Sequence, residues 1–405
     1  MRKIVLLLVM LLVAASGRGQ FSGYASAGYG FHSNPLYNFD TLSDNLLQGY
    51  WQMDYLASSP SVDWKVGYVG GLMLFQNLAG RNYYEHRISA GTTRRFPEGM
   101  EEGEGDDAPF RGNSLALGAR LGARHDRAEY QQFDSWGGDL SGTYTWGEGT
   151  SVSTALSNET GLRRYTSVPE LDNLTSVVTL RLTVGAPGSV RASFFGGGGI
   201  KHYLTSEVDT SIFATSSNGQ GKGKGKGLLS GTGNGKKDIL VNATSVNTLQ
   251  LHIGVGMAAG WEKGSVQVQV LYRIDPGSST RVLAQYANST MLSEDLYNDF
   301  FSHRGPEFTL ALRHSLPLGI HFSLDAEAMR KAYLSPAFSL DGVQTAADRV
   351  DLHGGVELSL SRYTELGGGL GVDIGVACGL MRNQSNDAYN DYSGHHYGVT
   401  LGIGF

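Results

Sequence analysis

The run His396-Tyr397-Gly398-Val399-Thr400-Leu401-Gly402-Ile403-Gly404-Phe405 alternates without a break. Tyr397, Val399, Leu401, Ile403 and Phe405 are apolar, whereas Gly398, Thr400, Gly402 and Gly404 are small or polar. Side chains alternate faces every residue in an extended chain, so this spacing predicts a strand with one greasy and one wet face. The same pattern recurs upstream. Leu115, Leu117, Ala119, Leu121 and Ala123 face away from Arg120 and Arg124, and Leu47, Gly49, Trp51, Met53 and Tyr55 oppose Gln48, Gln52 and Asp54. Further segments fall at 21–31, 62–74, 83–95, 136–146, 152–156, 178–184, 190–200, 249–257, 266–272, 308–312, 320–328, 350–360 and 370–380. With 397–405 this makes sixteen strands, within a range of 14 to 18 because residues 276–305 could hide a further hairpin starting at Val282-Ala284-Tyr286.

A strand ending on an aromatic at the chain terminus resembles the C-terminal strand of bacterial outer-membrane β-barrel proteins, a porin-like class. The resemblance implies that Tyr397, Val399, Leu401, Ile403 and Phe405 form an assembly signal read by the barrel-assembly machinery. It further implies outer-membrane lipids and lipopolysaccharide as neighbours, in a double-membraned bacterium. The expected fold is all-β: a transmembrane, antiparallel, up-and-down barrel with short periplasmic turns and long extracellular loops. An even strand number puts both termini on the periplasmic side.

Composition points the same way. Fifty-seven glycines, 20 tyrosines and 17% charged residues in 405 suit a barrel in lipid, and no second long apolar run offers a helical span. Met1-Arg2-Lys3, the apolar run Ile4–Ala15 and small residues before Gln20 read as a secretory signal peptide over 1–19, with the barrel over 20–405. The single cysteine, Cys378, excludes an internal disulfide and sits at an apolar position. A net charge of −6 says little about partners when charges segregate by face.

Loop lengths test the count. Turns at 57–61, 147–150, 185–188, 260–264 and 316–319 are short, whereas 32–45, 158–173, 204–240, 276–305, 333–348 and 383–395 are long, the asymmetry expected of a barrel. The acidic stretch 97–113 is long and falls on the short-turn side, so it is either a periplasmic excursion or a slip of register. Tyr55, Trp64, Trp146 and Trp261 would form an inner aromatic girdle, and Phe31, Tyr84, Trp136, Tyr203 and Tyr272 an outer one. A soluble β-sandwich or β-helix would show the same alternation with its apolar side chains turned inward.

Local motifs are thin. Gly221–Gly227 reads GKGKGKG but lacks the Ser or Thr of a phosphate-binding loop, which leaves an exposed loop tip or a cationic patch for anionic sugars and lipids. His32-Ser33-Asn34 compares with the His-x-Ser-Asn of outer-membrane lipid hydrolases, but adjacency sends His and Ser to opposite faces. His395-His396 near Asp387 and Asp391 lacks metal-ligand spacing. Neither a nucleic-acid motif nor a cofactor motif occurs. The polar face as a whole is more informative: Arg120, Arg124, Arg181, Arg191 and Lys201 lie on strands five to nine, and Asp325, Glu327, Asp351, Glu357 and Asp373 on strands thirteen to fifteen. On a sixteen-strand ring these would face each other as pore-lining walls, unless neighbouring charges pair into local ladders. The function expected is a passive channel for small polar solutes. The alternatives are a loop-plugged structural or adhesion barrel and, behind it, an outer-membrane lipid hydrolase. Oligomeric state stays open.

Overall fold

The computed structural model describes residues 19–35, 39, 41–97, 111–127, 134–167, 169, 172–186, 189–205, 247–276, 301, 303–340 and 343–405. Each of the sixteen alternating segments is a strand. The first eight are β1 (Gly19–His32), β2 (Asp44–Ser58), β3 (Val62–Phe75), β4 (Tyr83–Pro97), β5 (Gly112–Asp126), β6 (Ser135–Glu148), β7 (Val152–Tyr165) and β8 (Asn173–Val184). The second eight are β9 (Arg191–Tyr203), β10 (Asn247–Trp261), β11 (Gly264–Ile274), β12 (Gly305–Leu316), β13 (Ile320–Phe338), β14 (Gln344–Gly367), β15 (Leu370–Ser385) and β16 (Tyr392–Gly404). Each pairs antiparallel with its sequence neighbours, and β1 pairs with β16 to close the barrel. Closure satisfies the strand-edge N–H and C=O groups, which hydrocarbon would otherwise leave without partners.

The apolar face is the outside. Leu121 and Leu140 are each 65% exposed and Leu380 is 68% exposed, whereas a soluble sandwich would bury them. Trp64, Trp146 and Trp261 stand exposed near the short-turn end, and Tyr84, Trp136 and Tyr272 toward the other, as two interfacial rows. Tyr203 corrects the expected outer row: it is buried at an inward position of β9, with the Lys201 ammonium 5.1 Å from its ring centre.

The seam shows how the last strand is held. The Phe405 backbone exchanges two hydrogen bonds of 2.9 Å with Gly23, and its ring packs 6.0 Å from that of Phe21. A Cβ at Gly23 would collide with the Phe405 ring, so glycine opposite the terminal aromatic is a packing requirement. Gly367, Gly368 and Gly369 turn β14 into β15 with φ of 98°, 65° and 82°, a conformation that costs other residues strain.

Three expected outer loops prove shorter than read. β7 runs to Tyr165, β13 and β14 to Phe338 and from Gln344, and β15 and β16 to Ser385 and from Tyr392. These ends stand above the membrane, where the outward face no longer needs apolar residues and the alternation disappears. No slip of register occurs at 97–113, because β4 and β5 stay paired down to Pro97 and Gly112. Residues 98–110, residues 1–18 of the expected leader 1–19, the GKGKGKG run and the hairpin considered from Val282 lie outside the described residues.

Candidate functional site: the barrel lumen

Sixteen strands leave a lumen too wide for side chains to fill. All nine candidate charges, Arg120, Arg124, Arg181, Arg191, Asp325, Glu327, Asp351, Glu357 and Asp373, share strand parity with the inward residues, opposite to the exposed apolar ones.

Their partners are mostly local. Arg120 Nε donates to Asp139 at 2.7 Å on β6, the residue directly opposite it, and a second nitrogen reaches Glu159 on β7 at 3.4 Å. Arg124 pairs with Asp126 at 2.9 Å, and its guanidinium lies 4.0 Å from the centre of the Tyr83 ring. On the other wall Arg313 donates to Asp325 at 2.7 Å, His353 Nε2 sits 3.0 Å from Glu327, and His396 lies 3.6 Å from Glu357. Arg181 stacks at 4.5 Å over Phe195, and the Tyr24 hydroxyl donates to Asp373 at 3.5 Å. Each wall therefore carries counter-charges of its own, which is the ladder alternative rather than two bare opposed rows. In the middle of the barrel the inward side chains stay accessible: those of Arg120, Glu159, Asp325 and Glu357 are 45%, 60%, 48% and 54% exposed.

The extracellular half is more tightly packed. Phe301, just ahead of β12, is fully buried and reaches the inward face of β9, where its ring fills the space a side chain at Gly199 would need. His303 accepts a 2.8 Å hydrogen bond at its carbonyl from Gln250 on β10, and its ring lies 5.9 Å from that of Tyr333 on β13. Burial, with Lys331 and Arg273 close by, pushes the His303 imidazole down to about 3. Beside it, Arg349 and Asp351 form a buried pair with Nε to Oδ1 at 2.9 Å. Asp351 also accepts from Ser385 at 2.6 Å and Asn383 at 3.3 Å. Asp387 binds the Phe338 backbone at 3.0 Å and Asn390 at 2.9 Å, tying the last outer loop to the tall β13–β14 hairpin. Sequence reading missed Arg349, His303, Gln250 and Asn383 as lumen groups. The only signal was a cluster of Asn and Asp at 383–391, which reads equally well as loop.

The remaining motifs fall apart spatially. His32 Nδ1 accepts from the Asn34 backbone at 3.0 Å, while the Ser33 hydroxyl accepts from the His395 backbone at 2.8 Å, so imidazole and hydroxyl serve different partners. His396 turns inward and stacks on His32 at 5.4 Å; His395 is exposed on the outward face beside Phe31. Among the described residues no three His, Cys, Asp or Glu gather as metal ligands. Cys378 lies exposed on the lipid-facing side.

A closed even-stranded antiparallel barrel with an apolar outer belt, aromatic rows and a polar interior is an outer-membrane β-barrel. No protein-family model matches the chain, and no curated protein matches it. Solved structures similar to it include the outer membrane protein OprD of Pseudomonas aeruginosa, at 10% identity over 96% of this chain and 93% of that one with a TM-score of 0.44. OccK5 (OpdH) of the same organism is 9% identical over 96% and 99% of the two chains, also with a TM-score of 0.44. OpdL is 10% identical over 96% and 98%, with a TM-score of 0.41. Likeness at this level fixes no residue's role.

Proposed function

We propose that this barrel is a passive outer-membrane channel for small polar solutes. The observation that carries the reading is the accessible, charged middle of the barrel, where Arg120, Glu159, Asp325 and Glu357 are about half exposed inside a closed wall. Paired charges of both signs suit neutral or dipolar solutes, since each wall offers donors and acceptors without a large net potential. The packed outer half acts as the filter, and the residues around Phe301 and His303 set its width. Liposome swelling tests this: vesicles holding the protein should swell in small sugars or amino acids at rates that fall with solute size. Vesicles as tight as protein-free ones would reject it.

The second reading, a barrel plugged by its own loops, draws on the same fully buried Phe301 and the Arg349–Asp351 network. Removing the obstruction separates the two. Phe301→Ala should enlarge an existing conductance in a channel, but should create one from nothing in a plugged barrel.

A further inference from the structure

A groove of about 820 Å³ opens on the outward face across β12–β16, with Ser33, Thr41 and Ser43 between β1 and β2 at its far end. The apolar Phe308, Val356 and Leu380 line it together with the small Ala326, Ala328 and Gly354. These positions are in register: Phe308 pairs with Ala328, Ala328 with Gly354, and Gly354 with Arg382. One step toward the extracellular end of the same β13 face stands Arg330, exposed and with no ion-pair partner among the described residues. Arg382 has an exposed side chain shared with Asp391 at 2.5 Å.

Depth identifies what the groove meets. Ten residues separate Ile320, at the short-turn end, from Arg330. At roughly 3.3 Å per residue and a tilt of roughly 40°, that rise is about 25 Å, the height of the apolar belt. The guanidiniums therefore lie at the extracellular boundary, with the groove below them in the outer leaflet. Strand spacing puts the Cα atoms of Arg330 and Arg382 about 12 Å apart, close enough for both side chains to reach one phosphate. Ser33, Thr41, Ser43 and Ser393 add hydroxyls at the same rim, which suit a sugar better than a small phospholipid headgroup.

We infer that this groove binds a phosphorylated glycolipid of the outer leaflet, of the lipopolysaccharide type. An acyl chain lies along Ala326, Ala328 and Gly354, and a sugar phosphate rests on Arg330 and Arg382. The bound lipid fills a recess that loosely packed chains would leave poorly covered, next to the tall β13–β14 hairpin.

The test titrates the purified full-length protein in detergent with lipopolysaccharide and, separately, with an anionic phospholipid, counting complexes by native mass spectrometry. One glycolipid per barrel is expected, with weaker phospholipid binding. Arg330→Gln breaks no described ion pair and should weaken glycolipid binding about tenfold or more, as loss of a charged hydrogen bond does. Ala328→Trp, which fills the groove from the lipid side, should weaken it comparably without disturbing the lumen. Arg94→Gln, on the outward face at the opposite end of the barrel, should leave it unchanged. Equal binding of the phospholipid, equal losses in Arg94→Gln and Arg330→Gln, or barrel dimers in place of lipid complexes would overturn the inference.

Discussion

Replacing Leu117 with arginine tests the facing of the whole barrel at one point. Leu117 is 50% exposed on the outward side of β5. The aromatic rows fix its depth: Trp136 pairs with Ala123 toward the outer row, and Trp146 follows Thr145, the partner of Ser114, at the inner row, one residue beyond which lies Asn113. Midway between 113 and 123 is 118, so Leu117 sits within one residue of the midplane. An arginine there should destabilise the barrel by about 2–4 kcal/mol, the cost of a cation at the centre of the hydrocarbon. Arg120, three residues along, is the internal control. Arg120→Leu removes a pair with Asp139 whose side chains are 45% and 33% exposed to lumen water, so screening limits the loss to about 1 kcal/mol. Urea titration of folding into liposomes measures both. Equal costs, or a larger cost for Arg120→Leu, would refute the assignment of outside and inside.

Deleting Phe405, or Phe405→Asp, should leave the protein unassembled, because it removes the ring from Gly23 and Phe21 at the closing seam; unaltered heat-modifiable gel mobility would contradict this. Asp351→Ala strands the buried Arg349 guanidinium and should cost about 3–5 kcal/mol, whereas Arg349→Met with Asp351→Leu should recover most of it in the same urea titration. Arg120→Gln with Arg181→Gln should move reversal potential across a salt gradient toward cations, since Asp139 and Glu159 are left uncompensated, and Asp325→Asn with Glu327→Gln should move it toward anions. Both shifts should shrink at 1 M salt, where the Debye length is about 3 Å. His303 is held neutral in the folded state with its pKa below that of the unfolded chain. Between pH 6.5 and about 3 the unfolded state therefore binds the extra proton, and stability falls as pH falls through that window. His303→Gln should flatten this part of the pH profile in thermal melts.

What was legible in the sequence follows from where lipid imposes a rule. Within the membrane each strand must alternate, so Leu115–Ala123 and Tyr397–Phe405 declare both strand and face, and all sixteen strands are found in their places. Above the membrane the rule lapses. The outer ends of β13 and β14, beyond Ala332 and ahead of Arg349, read as loop although they are strand, with Pro336 opposite Asp348. Tyr203 fails for a related reason: an aromatic near a strand end suits a girdle, but parity with Lys201 sends it inward. The pairing of Arg120 with Asp139 needed the β5–β6 register, which depends on turn residues outside the alternating core. Arg349 and Asp351 on β14 meet Asn383 and Ser385 on β15 only through the β14–β15 register, and no spacing along the chain announces that.

Single-channel recording with one engineered thiol bears most directly on the central claim that solutes cross through this lumen. Glu159, with its side chain 60% exposed inside the barrel, becomes Glu159→Cys, while wild-type Cys378 on the lipid-facing side serves as the control. Both proteins should give discrete conductance steps in a planar bilayer. A bulky water-soluble thiol reagent should cut the steps of Glu159→Cys and leave wild type unchanged. Folded protein that gives no steps, or steps that the reagent reduces equally in both, would contradict a conducting lumen lined by these charges.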